Sequence, residues 1–209
     1  MKIGIIGTGK MGSHLAQRWA KNGHQIMFGS RTPAKAVNLA EQFGDNAAGG
    51  SMAAAAKFGE IVLLAVPWQA AKETIEALGS LEGKTLIDIT NPLLPEMAGL
   101  DIERDTSAAE QIAGWAKGAN VVKAFNALYF VNLDNPVFGG KPANLFLCGD
   151  GETAKAQVRQ LGKDIGLVPV DCGPLWMARH LESLAFVWIY LAFKRGIGTD
   201  FVISLQRRN

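Results

Sequence analysis

A glycine-rich segment near the start of the chain has the spacing of a phosphate-binding loop. The segment reads Gly7-Thr8-Gly9-Lys10-Met11-Gly12, after a short apolar, β-branched run and before a helical pattern over residues 13–22. In that context Gly7 permits a tight turn, Gly9 lets a pyrophosphate approach the backbone, and Gly12 lets the helix pack closely on the strand. Free N–H groups at the helix start would bind the phosphate oxygens. The segment predicts a dinucleotide site; the alternative is a glycine-rich turn without a ligand.

The residues that follow the second predicted strand distinguish between the two nicotinamide dinucleotides. NAD sites usually place Asp or Glu there to bind the ribose 2′-hydroxyl, whereas an arginine accommodates the 2′-phosphate of NADP. The chain reads Gly29-Ser30-Arg31-Thr32, without an acid. The Arg31 guanidinium can meet a phosphate in a planar fork, and the Ser30, Thr32 and Thr8 hydroxyls can donate to it. This pattern favours NADP(H) over the alternative of a solvated arginine.

Side chains that could transfer a proton or hold a metal are few. His24 lies in a helix–strand turn and is expected to be structural, as is His180 at the start of the last helix, although His180 could reach a site. His14 is expected to be a surface or packing residue. Lys123 could be a general base, or its ammonium could extend to solvent from a strand of apolar neighbours. Because no Ser/His/Asp arrangement and no metal-ligand spacing can be identified, we predict neither a catalytic side chain nor a metal site.

Hydride transfer between a nicotinamide and a second planar redox ring makes fewer demands on the protein. The cofactors carry the chemistry, while the protein sets the stacking distance and excludes water. Parallel sheets bind ligands at the carboxyl ends of their strands. Three such ends are Val66-Pro67-Trp68, Thr90-Asn91-Pro92 and Phe125-Asn126-Ala127-Leu128. For Trp68, the alternative is a core or interface aromatic.

Alternating apolar runs and helical patterns predict the elements that position these residues. They indicate an α/β fold, a Rossmann-type, doubly wound, mostly parallel sheet with helices on both faces and a small C-terminal helical part. The predicted strands are 2–7, 25–29, 60–66, 85–89, 121–125, 144–148 and 167–170. Ser51 and Ser107 are predicted helix N-caps, the latter in a capping box with Glu110. Residues 1–172 are predicted to form the NADP-binding domain, with 173–209 a helical segment packed on it.

Composition excludes several classes of protein. Among the 209 residues, 48% are hydrophobic and 19% charged, which rules out overall disorder. With a net charge of +2 and no basic run longer than Arg207–Arg208, a nucleic-acid partner is not expected. The longest apolar run, 184–193, is about half the ~20 residues that span a bilayer, so no membrane association is expected. Cys148 and Cys172 form no CxxC motif, which fits a reducing cytoplasm.

The last predicted helix, about 177–195, suggests an oligomer. Residues 184–193 include no charged side chain, so this stretch must be covered on more than one side. One side can pack on the chain itself and the other on a two-fold copy, which predicts a homodimer that could help to close the site. Phe186 and Trp188 are the expected anchors. The alternative is a helix fully buried within a monomer.

Five segments, taken in order, resemble the coenzyme F420-dependent NADP oxidoreductase family over nearly the whole chain. They are the glycine loop, Gly29-Ser30-Arg31, Val66-Pro67-Trp68, Val121-Val122-Lys123-Ala124-Phe125-Asn126 and Gly173-Pro174-Leu175. The resemblance implies a Rossmann domain with a small C-terminal part, often dimeric, and hydride exchange between NADP(H) and a 5-deazaflavin. It implies that Thr8, Ser30 and Arg31 hold the 2′-phosphate and that Pro67 lies by the nicotinamide. Asn126 stands where archaeal members tend to have histidine.

The chain is also similar to the NADPH-binding domain of STEAP-type metalloreductases, which pass electrons through a flavin. Three functions therefore stay open: an NADPH-dependent reductase of a deazaflavin, a flavin or another small acceptor; a reductase of a small imine or carbonyl substrate; and a non-catalytic NADPH-binding module. The predicted cofactor-binding residues are Gly7, Thr8, Gly9, Lys10, Met11, Gly12, Ser30, Arg31, Thr32, Val66, Pro67, Trp68 and Asn126.

Replacement of Arg31 by alanine tests the cofactor preference. Losing a charged, bidentate phosphate contact should weaken NADPH binding by about 1.5–3 kcal/mol. NADH has no 2′-phosphate, so its affinity should change little. Titration of both cofactors by calorimetry checks this, and equal binding of NADPH and NADH by the unmodified protein would contradict it.

Overall fold

Eight of the strands in residues 1–208, the part of the chain that the computed structural model describes, form one sheet. The strands are β1 (Lys2–Ile6), β2 (Gln25–Ser30), β3 (Ala47–Ser51), β4 (Ile61–Leu64), β5 (Thr85–Asp88), β6 (Asn120–Ala124), β7 (Val137–Phe138), β8 (Lys141–Pro142), β9 (Asn144–Gly149) and β10 (Val168–Asp171). The sheet order is β10-β9-β6-β5-β4-β1-β2-β3, and β7 pairs with β8 separately. Every neighbouring pair in the sheet is parallel except β6 with β9. The predicted mostly parallel α/β fold is confirmed.

Helices cover both faces of the sheet. They are α1 (Lys10–Lys21), α2 (Pro33–Ala40), α3 (Met52–Phe58), α4 (Ala71–Ala77), α5 (Ala108–Trp115), α6 (Glu152–Asp164) and α7 (Ala178–Ile189), with α7 continued by a π-helical turn, Tyr190–Lys194. All four residues of β4 are buried: Ile61 and Leu63 join the core on one face, Val62 and Leu64 the core on the other. A strand covered on both faces explains the uninterrupted apolar run in the sequence. Within residues 1–208, no helix combines the length and apolar character needed to cross a membrane.

The strand at one edge of the sheet, β3, was missed by sequence analysis. Its residues, Ala-Ala-Gly-Gly-Ser, include none of the β-branched or aromatic types that mark strands. It pairs with β2 along its whole length, and a Cβ on Gly49 would overlap the backbone of Ala36 in α2. Small residues are therefore needed here because the helix lies directly on the strand. The seven predicted strands are all present, with ends within two residues of prediction.

Two predicted caps are confirmed, and one of them joins two helices. Ser51 accepts a hydrogen bond from the Ala54 N–H at the start of α3. Ser107 accepts from the Glu110 N–H at 3.1 Å, and its hydroxyl donates to Glu110 Oε2 at 2.7 Å. Glu110 also receives two hydrogen bonds, at 2.7 and 2.9 Å, from Arg179 at the start of α7. The capping box therefore anchors the C-terminal helix to α5.

The final helix is covered more completely by its own chain than predicted. Trp188, an expected dimer anchor, is buried: it stacks on Phe201 in the C-terminal tail, and its indole N–H donates to the Phe201 carbonyl at 2.9 Å. The prediction that Trp188 anchors a dimer interface was therefore wrong, because the C-terminal tail of the same chain covers this side chain. Phe186 is half-buried against Tyr190. Homodimer formation stays a prediction, and the exposed apolar surface of this helix is at Val187, Tyr190 and Phe193.

The Glu110–Arg179 contact should make stability depend on pH. Hydrogen bonds from Arg179, opposed by partial burial, lower the pKa of the Glu110 carboxyl in the folded protein. The stabilisation is therefore complete above the unfolded-state pKa, about 4.3, and is lost as pH falls through the lower folded-state pKa. Glu110→Gln should reduce the urea midpoint at pH 7, and the difference from the unmodified protein should shrink towards pH 3.

Glu76→Gln is the matched control, because Glu76 is an exposed helical glutamate on α4. It should show no such pH dependence. A Glu110→Gln effect of equal size at pH 7 and pH 3 would contradict the assignment.

Candidate functional site

Two adjoining cavities open at the carboxyl ends of the parallel strands. The polar cavity, about 250 Å³, has Gly7, Thr8, Gly9, Ser30, Arg31 and Thr32 in its lining. The aromatic cavity, about 470 Å³, has Gly9, Lys10, Met11, Gly12, Val66, Pro67, Trp68 and Asn126 in its lining. The structure thus brings every predicted cofactor-binding residue to one of these two cavities. They share Gly9, Ala65, Val66 and Pro67, so one extended molecule can occupy both.

The three glycines of the loop have different local reasons to be glycine. Gly7 has φ +116°, and a Cβ there would overlap the Ala65 carbonyl. A Cβ on Gly12 would lie 3.0 Å from Ala65 Cβ, so this glycine lets α1 approach β4. Gly9 has φ −79°, and a Cβ there would meet no protein atom within 4 Å. Packing explains Gly7 and Gly12, whereas Gly9 borders space that a ligand can fill.

The start of α1 leaves backbone donors available to that space. Gly9 is its N-cap residue and provides no side-chain hydrogen bond, and the first turn contains no acidic residue. α1 begins at Lys10, three residues earlier than predicted, so Lys10, Met11 and Gly12 belong to its first turn. Unsatisfied N–H groups and the positive end of the helix dipole favour a bound anion.

The polar cavity is positively charged. Arg31 is exposed and makes no salt bridge within residues 1–208. Ser30 Oγ accepts from the Thr32 N–H at 3.1 Å, which holds the turn that carries Arg31. A second cation, Lys35 in the first turn of α2, also lines this cavity, and no carboxylate does. Sequence analysis missed Lys35, although its place one helical turn beyond Arg31 was a usable signal.

The far wall of the aromatic cavity comes from distant parts of the chain. Tyr129 and Phe130 follow β6, and Trp188, Ile189 and Phe193 belong to α7 and its π-helical extension. The Tyr129 ring stacks on Trp188 with centroids 5.6 Å apart and an angle of 26°. On the near wall, Trp68 stacks on Trp115 at 5.5 Å, so it both lines the cavity and packs between elements. Lys10 is the only charged side chain in the lining.

One edge of this largely apolar cavity is polar. Asn91, after β5, donates to the Asn126 carbonyl oxygen at 2.9 Å. The Asn126 amide donates in return to Asn91 Oδ1 at 3.2 Å and to the Leu181 carbonyl in α7 at 3.1 Å. The preceding residue, Phe125, has φ +61°, an uncommon value for a non-glycine residue, which turns the chain out of β6. Both N–H groups of Asn126 are therefore committed, and its Oδ1 is the atom left for a ligand.

Comparison with known proteins shows which family the chain belongs to. Residues 2–92 match the family model described as NADP oxidoreductase, coenzyme F420-dependent. The chain is 34% identical to the F420-dependent NADP reductase of Methanocaldococcus jannaschii, over 98% of each chain. It belongs to this family. The resemblance drawn from the sequence is confirmed, and the chain is an NADP-dependent oxidoreductase.

One solved structure and one further protein sequence are also similar to this chain. The structure matches a putative F420-dependent NADP-reductase from Arthrobacter sp. FB24 with a TM-score of 0.88 and 29% identity, covering 99% of this chain and 100% of the other. The chain is also 30% identical to the metalloreductase STEAP3 of Rattus norvegicus over 88% of its own length. That second match spans only 36% of the metalloreductase.

The residues present fit the family's dinucleotide. The space beside Gly9, the free donors of α1 and the two cations of the polar cavity suit a pyrophosphate and a 2′-phosphate. The adjoining aromatic cavity suits a nicotinamide ring, because its lining is mainly apolar with one polar edge.

Lys123, a strand residue of the family-like segment, is not a general base. It is fully buried, with Nζ 2.8 Å from Asp88, 2.9 Å from Glu182 and 2.6 Å from the Thr90 carbonyl. Burial opposes the charge, but the two carboxylates outweigh it and raise the pKa of Lys123 above its ordinary value. Lys123 therefore stays protonated at neutral pH and does not extend to solvent, so both expectations for it were wrong.

None of the three histidines lines either cavity. His24 bonds to Asp164 at 2.9 Å and to the terminal amino group at 3.3 Å, which confirms its structural role. His14 packs on the ring of Phe130, and His180 lies edge-on to Trp176.

Gly9→Val should abolish cofactor binding without unfolding the chain. Its side chain would enter the space beside the loop rather than the protein, so we expect an unchanged circular dichroism spectrum and NADPH binding weakened by about tenfold or more, a loss of at least about 1.4 kcal/mol. Gly7→Val is the control, because both its φ angle and the Ala65 carbonyl forbid a side chain, so it should unfold. Unchanged NADPH affinity in Gly9→Val would show that phosphate binds elsewhere.

Proposed function

We propose that this protein transfers a hydride between NADPH and a planar ring acceptor, the 5-deazaflavin F420 or a flavin. The observation that carries the proposal is the aromatic cavity. It adjoins the glycine loop, is lined by aromatic side chains from two separate stacks, Trp68 with Trp115 and Tyr129 with Trp188, and has no histidine or carboxylate among its lining residues. Such a cavity suits a reaction in which two rings stack and neither needs a protein acid or base.

In this proposal NADP(H) extends across both cavities. Arg31, Ser30, Thr8 and Lys35 hold the 2′-phosphate, and the N–H groups at Gly9 and the start of α1 hold the pyrophosphate. The nicotinamide lies beside Val66, Pro67 and Asn126, and the acceptor ring lies against the far aromatic wall. Membership of a family of F420-dependent NADP reductases supports F420 as the acceptor.

Most of the rate enhancement would come from positioning. The nicotinamide supplies the hydride when bound, and the protein holds the two rings at reacting distance. Trp68, Tyr129 and Phe130 all line the cavity and would confine a flat acceptor. The apolar lining excludes water, which protects the hydride donor from side reactions.

Reduction of a small imine or carbonyl substrate is the second candidate. Its heteroatom must receive a proton, and the Tyr129 hydroxyl, which lines the aromatic cavity and has no hydrogen-bond partner within residues 1–208, could donate one. A non-catalytic NADPH-binding module would bind NADPH but would reduce none of the acceptors. These three functions predict different results in one assay.

Stopped-flow oxidation of NADPH against F420, FMN, FAD, a ferric chelate and a cyclic imine should show fast reaction with a ring acceptor. Within residues 1–208, no three His, Cys, Asp or Glu side chains are grouped to hold a metal, so EDTA should leave the rate unchanged. Tyr129→Phe should retain hydride transfer to the ring.

Loss of activity in EDTA that a metal ion restores would refute the proposal. Turnover of the imine alone, lost in Tyr129→Phe, would establish the second candidate. Tight NADPH binding with no acceptor reduced would leave the non-catalytic module.

A further inference from the structure

A buried hydroxyl in the wall of the aromatic cavity lacks a partner. Thr90, just beyond the carboxyl end of β5, is 3% exposed, and its Oγ1 is the only buried side-chain nitrogen or oxygen in residues 1–208 without a hydrogen bond. Leaving such a group unpaired costs folding free energy, so native proteins rarely do so. Thr90 is also one of the residues that line the aromatic cavity.

The backbone of Thr90 is held on both sides by buried charges. Its N–H donates to Asp88 Oδ1 at 2.8 Å, and its carbonyl accepts from Lys123 Nζ at 2.6 Å. Lys123 is held in turn by Asp88 and by Glu182 of α7, and all three side chains are inaccessible to solvent. The peptide groups around Thr90 therefore cannot shift freely to give the hydroxyl a partner.

The neighbouring asparagine side chains already bond within the protein, and Asn126 Oδ1 is left open for a ligand. Asn91 and Asn126 bond to each other, and Asn126 also bonds to the Leu181 carbonyl. Along this polar edge, the Thr90 hydroxyl is the buried side-chain group that makes no hydrogen bond within residues 1–208. Because the cavity is otherwise apolar, a hydrogen bond made there is not weakened by competing water.

We propose that the Thr90 hydroxyl binds the nicotinamide riboside half of NADP(H), through its carboxamide or its ribose hydroxyls. This assignment rests on the proposed placement of NADP(H) across both cavities. The 2′-phosphate occupies the polar cavity, so the other half of the dinucleotide enters the aromatic cavity past Gly9, Val66 and Pro67, which the two cavities share. A rotation of the Thr90 side chain or a small movement of the wall brings its oxygen to the ligand.

Thr90→Val and Thr90→Ser separate this role from a structural one. Valine has the shape of threonine without the hydroxyl, so Thr90→Val should raise the Kd for NADPH by about 3- to 10-fold, the effect of one neutral hydrogen bond. Thr90→Ser keeps the hydroxyl and should bind NADPH like the unmodified protein. Because valine removes an unsatisfied group, the thermal midpoint of ligand-free Thr90→Val should be equal or higher. A lower midpoint would show that the hydroxyl has a structural partner and would overturn the proposal.

Shortened ligands locate the contact. Thr90→Val should bind 2′,5′-ADP, which lacks the nicotinamide riboside, as tightly as the unmodified protein does. If 2′-phospho-ADP-ribose also binds unchanged, the partner is the carboxamide; if it weakens, the partner is the ribose. An unchanged Kd for NADPH, or equal weakening of 2′,5′-ADP, would overturn the assignment.

Arg31→Ala, measured in parallel, distinguishes failure of this contact from failure of the proposed function. It should weaken both NADPH and 2′,5′-ADP. If it does so while Thr90→Val binds NADPH normally, only the Thr90 contact is wrong. If it weakens neither ligand, the placement of NADP(H), and the Thr90 contact with it, is wrong.

Discussion

The buried ion cluster of Lys123, Asp88 and Glu182 joins the parts of the molecule that make the site. Asp88 ends β5, Lys123 lies in β6, and Glu182 lies in α7. Glu182 also accepts hydrogen bonds from the Ala108 and Ala109 N–H groups at the start of α5, where the helix dipole favours a negative charge. Three elements therefore meet at one ammonium group, and Glu182 joins a fourth, α5, to them.

Such a cluster is stable only as a whole. Burial raises the pKa of Glu182, and the nearby ammonium of Lys123 opposes that effect. Removing one member of a buried ion pair leaves an uncompensated charge and typically costs about 3–5 kcal/mol. Apolar side chains of similar volume often give a comparable stability. What the cluster adds is a fixed arrangement of the elements that it joins. It holds α7 against the strand ends and thereby positions the far wall of the aromatic cavity.

Features that depend on neighbouring residues could be predicted from the sequence. Features that depend on contacts between segments distant in the sequence could not. The glycine loop, the Ser30–Arg31 turn and the Ser107 cap are each specified within a few residues. The capping box differs in one bond, because the Glu110 carboxylate accepts from the Ser107 hydroxyl rather than from the Ser107 backbone N–H. Lys123 was misjudged because its apolar neighbours in β6 resemble those of any strand lysine, while its carboxylate partners lie in other elements. The wall residues Tyr129 and Phe193 were missed for the same reason, since packing against distant segments defines them. Strand β3 was missed because its small residues include none of the types that mark strands.

The C-terminal tail gives the site an order of assembly. Its extended residues are held where Asn132 donates to the Thr199 and Phe201 carbonyls and where the Leu205 N–H donates to Asn144 Oδ1. Phe201 thereby covers the outer side of Trp188, whose inner side supports Tyr129. Chains are synthesised from the amino terminus, so the glycine loop leaves the ribosome before this aromatic stack does. The dinucleotide loop can fold while synthesis continues, but the wall of the aromatic cavity is complete only when Phe201 has been released.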